Sequence, residues 1–353
     1  MNHTTRGCLW GSPTAAYQKD LDLPEYRFSV SWPRLQPDGR GQADTEGLDH
    51  YERLVDELLA HGMTPVPTLH DGDLPQELED SGGWAARDTA VRFAEYAGLV
   101  GMRLGDRVPY WTTLNEPWCA AFRGEASTPA HALRAAHHLL LAHGLGTLAL
   151  RSVLPVTAQV SITLNLAAVL PAATSSAATS AVRRIDGLAN RLFLDPLFVG
   201  HYPADVRQDT SRVTDWSFVW PDDLSVISTP IDLLGINYYS PNLVDVGPSE
   251  RGPSPWPACE NVRFVPPPDP TTAMGRSIDT QGLRNVVHRV HDQYRPIPLV
   301  VTENGAASEA AGCLRDHLEV VREAISAGVD LRGYFVWSLL DDYRQVIRTN
   351  GLE

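Results

Sequence analysis

GYFVWSL, residues 333–339, is an apolar and aromatic run that gives way to a polar stretch. It is short, rich in β-branched and aromatic residues, and without the 3-and-4 spacing of a helix face, so it reads as a strand buried on both faces. The same signature recurs at residues 9–17, 26–32, 64–69, 110–114, 159–164, 233–238 and 299–302, which makes eight candidate strands. Helical periodicity fills most of the gaps, at residues 45–62, 84–104, 131–153, 179–199, 280–294 and 315–327. In the first of these Leu48, Tyr51, Leu54, Val55, Leu58 and Leu59 share one face, and Gly62 supplies a stop. Strands alternating with helical crossovers predict an α/β fold, a parallel sheet closed on itself as one domain over residues 1–353.

Two connections break the pattern. About eight residues separate the first two strands, fewer than a parallel crossover needs. After residue 339 no helical period follows. The sequence therefore predicts a barrel lacking the helices after strand 1 and strand 8, which are neighbours in a closed ring. Their absence should bare a flank beside Leu9, Phe28, Val30, Phe335 and Val336, and the expected cover is a second copy of the chain, giving a homodimer. The alternative covers are residues 247–275, a separate partner, or a further segment of the protein. Residues 247–275, with Pro266, Pro267 and Pro268, read as a long irregular loop.

Composition narrows the partners. A formal net charge of −14 disfavours nucleic acid and anionic membrane surfaces. No stretch approaches the roughly 18 apolar residues of a membrane span, and the N-terminus is polar, so a cytoplasmic location is expected. Cys8, Cys119, Cys259 and Cys313 form no C-x-x-C pair, hence neither a zinc pattern nor a disulfide framework. His137, His138 and His143 share a helix at spacings that do not put two imidazoles on one face. No metal and no cofactor are implied.

In such a barrel the C-terminal strand ends build the site. They carry Gln18, Arg27, Asp71, Asn115, Glu116, Asn237, Tyr239, Glu303, Asn304, Trp337 and Arg344. Glu116 and Glu303 matter most, because two carboxylates in one cavity, one protonated and one ionised, are what glycoside hydrolysis requires. A lone strand-end glutamate reads more simply as a solvated loop charge; the pair beside asparagines and aromatics reverses that preference.

The motifs LWGSPTAAYQ, YRFSVSWPR, TLNEPW, GINYYS, VTENG and GYFVWSLLDD together resemble glycoside hydrolase family 1, the retaining β-glucosidases and β-galactosidases. The resemblance spans all eight strands and implies a (β/α)8 TIM barrel working by double displacement on a small glycoside. It matches Glu116 to the acid/base and Glu303 to the nucleophile, with carboxyl groups about 5–5.5 Å apart. Arg27 and Tyr239 match residues that hold the nucleophile ionised. Asn115 matches the reader of the 2-hydroxyl, Gln18 a reader of the 3- and 4-hydroxyls, Trp337 the platform under the sugar, and Asn237 a further substrate contact. The departures are local. TLHDGDLP places Asp71 and Gly72 where the family carries His and Trp, with His70 one position early on the strand. Arg344 and Gln345 stand where it carries sugar-reading Glu and Trp, and the loops after NEPWCAAFRG and TENGAAS are short. These changes imply an altered glycone specificity, with Asp71 and Arg344 predicted to face each other. The alternatives are a member repurposed for glycosyl transfer or for cyclisation or elimination of a small metabolite, or a non-hydrolytic ligand-binding relative. Trp256 is expected to contact the aglycone.

Overall fold

The computed structural model describes residues 9–13, 24–123, 128–247, 256–266, 271, 277–294, 296–305 and 310–337, with the side chains of 9–13 and 310–312 left aside. Its strands are β1 (Leu9–Pro13), β2 (Glu25–Ser29), β3 (Thr64–His70), β4 (Tyr110–Asn115), β5 (Gln159–Asn165), β6 (Val169–Pro171), β7 (Leu233–Asn237), β8 (Asn242–Val246), β9 (Val262–Val265), β10 (Leu299–Asn304) and β11 (Leu331–Val336). Eight of them close into a parallel barrel in the order β1, β11, β10, β7, β5, β4, β3, β2. All eight predicted strands are present, and the chain is an α/β barrel of the (β/α)8 type.

The side-chain period of two divides the barrel wall. Val66, Leu233, Val300 and Phe335, with Tyr110 against them, form a small cluster separate from the main core. They come from five different strands, so they fill the barrel's interior floor. The alternate residues face the helices: Phe28 stacks on Tyr51 of the helix Thr45–Ala60, ring centroids 6.3 Å apart. This alternation corrects the expectation of a bare flank. Phe335 points into the barrel, Phe28 is covered by its own helix, and Val30 is buried as well. Val336 is half-buried, and the side chain of Leu9 lies outside the described residues, so these contacts leave the expected dimer untested. The helix absences themselves, after strand 1 and after strand 8, fall outside the described residues.

Proline shapes β3. Pro65 and Pro67 offer no N–H, and the pairing of β3 with β4 is registered only beyond them, at Thr68↔Thr112 and His70↔Leu114. On the other side β3 pairs with β2 along its length, from Glu25↔Thr64 to Ser29↔Thr68. The long helix Pro129–Val153 packs outside β4 and is capped by the Thr128 hydroxyl. Its His143 ring bonds Thr113 Oγ1 at 2.7 Å, and its His137 bonds Tyr202 and Asp223, so both histidines are structural. The Pro-rich segment is only partly irregular. Its β9 pairs antiparallel with β8, which pairs in turn with β6, giving a second sheet of three strands.

Candidate active site

Strict alternation would turn Glu303 the wrong way. Along β10, Val300 faces the floor and Thr302 reaches Asn237, so Glu303 should point outward. The register of β10 slips between Val301 and Glu303 against β7, and between Val301 and Asn304 against β11. A slip of this kind re-aims the side chain that follows it. β4 does the same against β5 between Thr112 and Asn115, just before Glu116. Glu116 then takes a left-handed backbone, φ 46° and ψ 58°, uncommon outside glycine. Gly305, after β10, is required by close approach: a Cβ there would lie 1.9 Å from the Trp337 carbonyl oxygen.

The glutamates have unlike surroundings. Glu303 is buried; Arg27 donates to its Oε1 at 2.8 Å, Asn115 Nδ2 to the same oxygen at 3.3 Å, and the Tyr239 hydroxyl to Oε2 at 2.6 Å. Burial pushes its carboxyl above the usual range, the Arg27 guanidinium pulls it back, and the charge of Glu116 pushes it up again. The net direction is upward, so Arg27 moderates the desolvation of Glu303 rather than reversing it. Glu116 is half-buried. Asn237 Nδ2 donates to its Oε1 at 2.9 Å, and the Cys119 thiol to its Oε2 at 3.0 Å.

Two asparagines connect the carboxylates. Asn115 Oδ1 accepts from Arg27 at 2.8 Å and from Asn237 at 3.1 Å, while its Nδ2 donates to Glu303 and, at 2.8 Å, to Asp71 Oδ1. Thr302 Oγ1 donates to Asn237 Oδ1 at 2.7 Å, which fixes that amide's orientation. Asp71 turns to the site and also accepts from Ser29 Oγ at 2.7 Å. His70 instead lies buried edge-on against Trp84, ring centroids 4.9 Å apart. Trp337 is half-buried, its backbone N–H on the Asn304 carbonyl at 2.9 Å. Arg27, Asp71, Asn115, Glu116, Asn237, Tyr239 and Glu303 thus form one hydrogen-bonded constellation. Gln18 and Arg344, and with them the predicted pairing of Arg344 with Asp71, lie outside the described residues, as do the two short loops. Trp256 is buried among Trp118, Phe122 and Phe264.

The family model described as "Glycosyl hydrolase family 1" matches residues 13–348. The chain belongs to that family. It is 48% identical over 337 residues to the thermostable beta-glucosidase B of Thermobispora bispora, covering 90% of this chain and 69% of that one. It is 42% identical over 359 residues to a bifunctional beta-D-glucosidase/beta-D-fucosidase of Bifidobacterium breve, covering 92% and 77%. Among solved structures, the psychrophilic beta-glucosidase BglU from Micrococcus antarcticus superposes with a TM-score of 0.89 at 36% identity, covering 96% of this chain and 91% of that one. Membership of the family makes the protein an O-glycosyl hydrolase acting on small glycosides. No helix among the described residues is long and apolar enough to cross a membrane.

Sequence reading missed three members of the constellation: Cys119, Ser29 and Thr302. Each had a signal. Cys119 stands three residues beyond Glu116 on a helix opened by Pro117, and Ser29 and Thr302 sit on the inward parity of their strands.

Proposed function

We propose that this chain is a retaining β-glycosidase in which Glu303 is the nucleophile and Glu116 the acid/base, carried by a single barrel domain. The observation that carries the assignment is the contrast between the two carboxylates. Glu303 is buried and held on both oxygens by donors from β2, β4 and the segment after β7. Such a group keeps one orientation, and the Arg27 guanidinium offsets part of the upward push that burial exerts on its carboxyl. Glu116 is half-buried and can exchange a proton with solvent, as a group that alternates between acid and base must. In the reaction Glu303 attacks the anomeric carbon while Glu116 protonates the departing oxygen. Glu116 then takes a proton from water, which cleaves the glycosyl ester. Arg27 and Tyr239 hold Glu303, and Asn115 and Asn237 set the spacing of the pair. Trp337, with Gln18 and Arg344 from the resemblance, completes the sugar-binding surface.

The glycone preference differs from that of an ordinary β-glucosidase because Asp71 stands at the sugar-reading His. Its two oxygens already serve Ser29 and Asn115, so it accepts hydrogen bonds and donates none. The test is a panel of aryl β-glycosides spanning glucose, galactose, fucose and deoxy sugars, with the first-formed anomer read by NMR. Retention of configuration and a preference for a deoxygenated sugar over glucose are expected. Inversion would overturn the double displacement; strong preference for plain glucosides would overturn the altered specificity. Glycosyl transfer shares the first half-reaction, and an added acceptor alcohol tests for it. The absence of a nucleic-acid partner accords with the acidic composition.

A further inference from the structure

The thiol beside Glu116 has no part in the reaction as written above. Cys119 donates to Glu116 Oε2 at 3.0 Å, and Asn165 Nδ2 lies 3.7 Å from its sulfur, anchoring the thiol from β5. The Cys119 backbone N–H also bonds the Glu116 carbonyl at 2.8 Å, closing the turn that carries the left-handed Glu116. On the opposite side of the carboxyl, Asn237 Nδ2 takes Oε1.

We propose that Cys119 is a positioning residue that selects the oxygen on which Glu116 carries its proton and tunes how readily it gives the proton up. The proposal rests on Glu116 being the acid/base. The amide of Asn237 can only donate to Oε1, because Thr302 fixes its orientation by donating to the amide oxygen. Oε1 therefore stays an acceptor, and the exchangeable proton belongs on Oε2. There the thiol is a weak donor. A hydroxyl would stabilise the carboxylate more strongly, and no donor at all would remove that stabilisation and leave Oε2 unanchored. Burial and the neighbouring Glu116 charge keep the thiol itself protonated. The other charged and titratable groups around the pair are Glu303 on β10, Arg27 on β2 and Tyr239 after β7, both bonded to Glu303, Asp71 after β3, which reaches the constellation through Asn115, and Arg123 at the end of the helix Pro117–Phe122. Substitution at Cys119 changes none of them.

The experiment compares wild type, Cys119→Ser and Cys119→Ala in pH profiles of kcat/KM, using phenyl and 2,4-dinitrophenyl β-glycosides of the sugar the panel selects. The alkaline limb reports the acid in the free enzyme. Cys119→Ser is expected to move it down and Cys119→Ala up, each by about 0.5 pH unit, with the larger rate loss on the phenyl glycoside. A residue that merely packs the helix would give shifts of one sign or none, and equal losses on both leaving groups; either result overturns the proposal. If the alanine variant does not fold, as judged by its melting curve, the serine variant decides alone by the sign of its shift. Glu116→Gln serves as the control: failure of that variant to spare the dinitrophenyl glycoside would overturn the acid/base reading itself, separately from the role of Cys119.

Discussion

Glu303 and Glu116 are the same residue type on the same rim, yet they are held in opposite ways. Glu303 sits under three donors, one of them a guanidinium, and is buried. Glu116 has one amide and one thiol, and an open side. The difference teaches that roles in a carboxylate pair are set by what surrounds each member. It also shows where the fold spends its irregularity: both strands slip in register just before the glutamate they deliver.

The comparison breaks most sharply under azide. Glu303→Gln should lose about 10⁴-fold or more of kcat/KM while the protein stays folded. With Glu303→Gly, azide should enter from the vacated side and restore turnover, giving the glycosyl azide of inverted configuration. With Glu116→Ala, azide should intercept the covalent intermediate and give the retained one. NMR of the two products reads this directly. The same anomer from both variants, or unchanged turnover in Glu303→Gln, would mean that the roles are assigned wrongly. A crystal structure with the carboxyl groups near 9 Å apart, rather than about 5–5.5 Å, would remove double displacement altogether.

A smaller effect sharpens the electrostatic side. The acid limb of activity reports ionisation of the nucleophile, whose carboxyl burial pushes up and Arg27 pulls back. Removing the cation leaves the push alone, so Arg27→Met should move the acid limb of kcat/KM to higher pH, by about one unit or more. Activity is then lost as pH falls through a higher value than in the wild type. Tyr239→Phe removes a neutral donor and should move the limb the same way by less. A downward shift in either variant would contradict the pull of these donors on Glu303, and equal shifts in both would contradict the lead of the guanidinium over the neutral hydroxyl.

Much of this was readable in the chain. Every barrel strand shows as a buried β-rich run, because both faces are covered and the apolar signal is continuous. The strand-end residues Arg27, Asn115, Glu116, Asn237, Tyr239 and Glu303 could be collected before any contact was known. The register slips could not, since each depends on how a strand meets its neighbour, and the parity of Val300 and Thr302 argues for the wrong face at Glu303. Phe335 was placed on the outer flank for a related reason: whether it looks inward or outward is a matter of one residue in register. β9 stayed hidden because Val262–Val265 is short and finds its partner β8 across the Pro-rich segment.

The finest distinction concerns the rim, at Asp71. Asn115 and Ser29 satisfy one oxygen each, so this carboxylate is paired before any sugar arrives. A sugar lacking the hydroxyl that faces it therefore leaves nothing buried and unmet. A histidine there, the residue the family resemblance places on the 3-hydroxyl, would lose a ring partner when that hydroxyl is absent, and a polar group left unmet once the bound sugar covers this exposed position costs about 1–3 kcal/mol. Asp71→His should thus raise the discrimination between an aryl β-glucoside and its 3-deoxy analogue by about tenfold relative to wild type. The change should appear in kcat/KM for the 3-hydroxylated substrate against the deoxy one, with the pH limbs set by Glu303 and Glu116 moved far less than by Arg27→Met. Asp71→Asn is the companion variant, since it keeps the shape while exchanging one acceptor for a donor. If the discrimination ratio is the same in wild type and Asp71→His, Asp71 does not face the sugar and the altered glycone reading loses its principal residue.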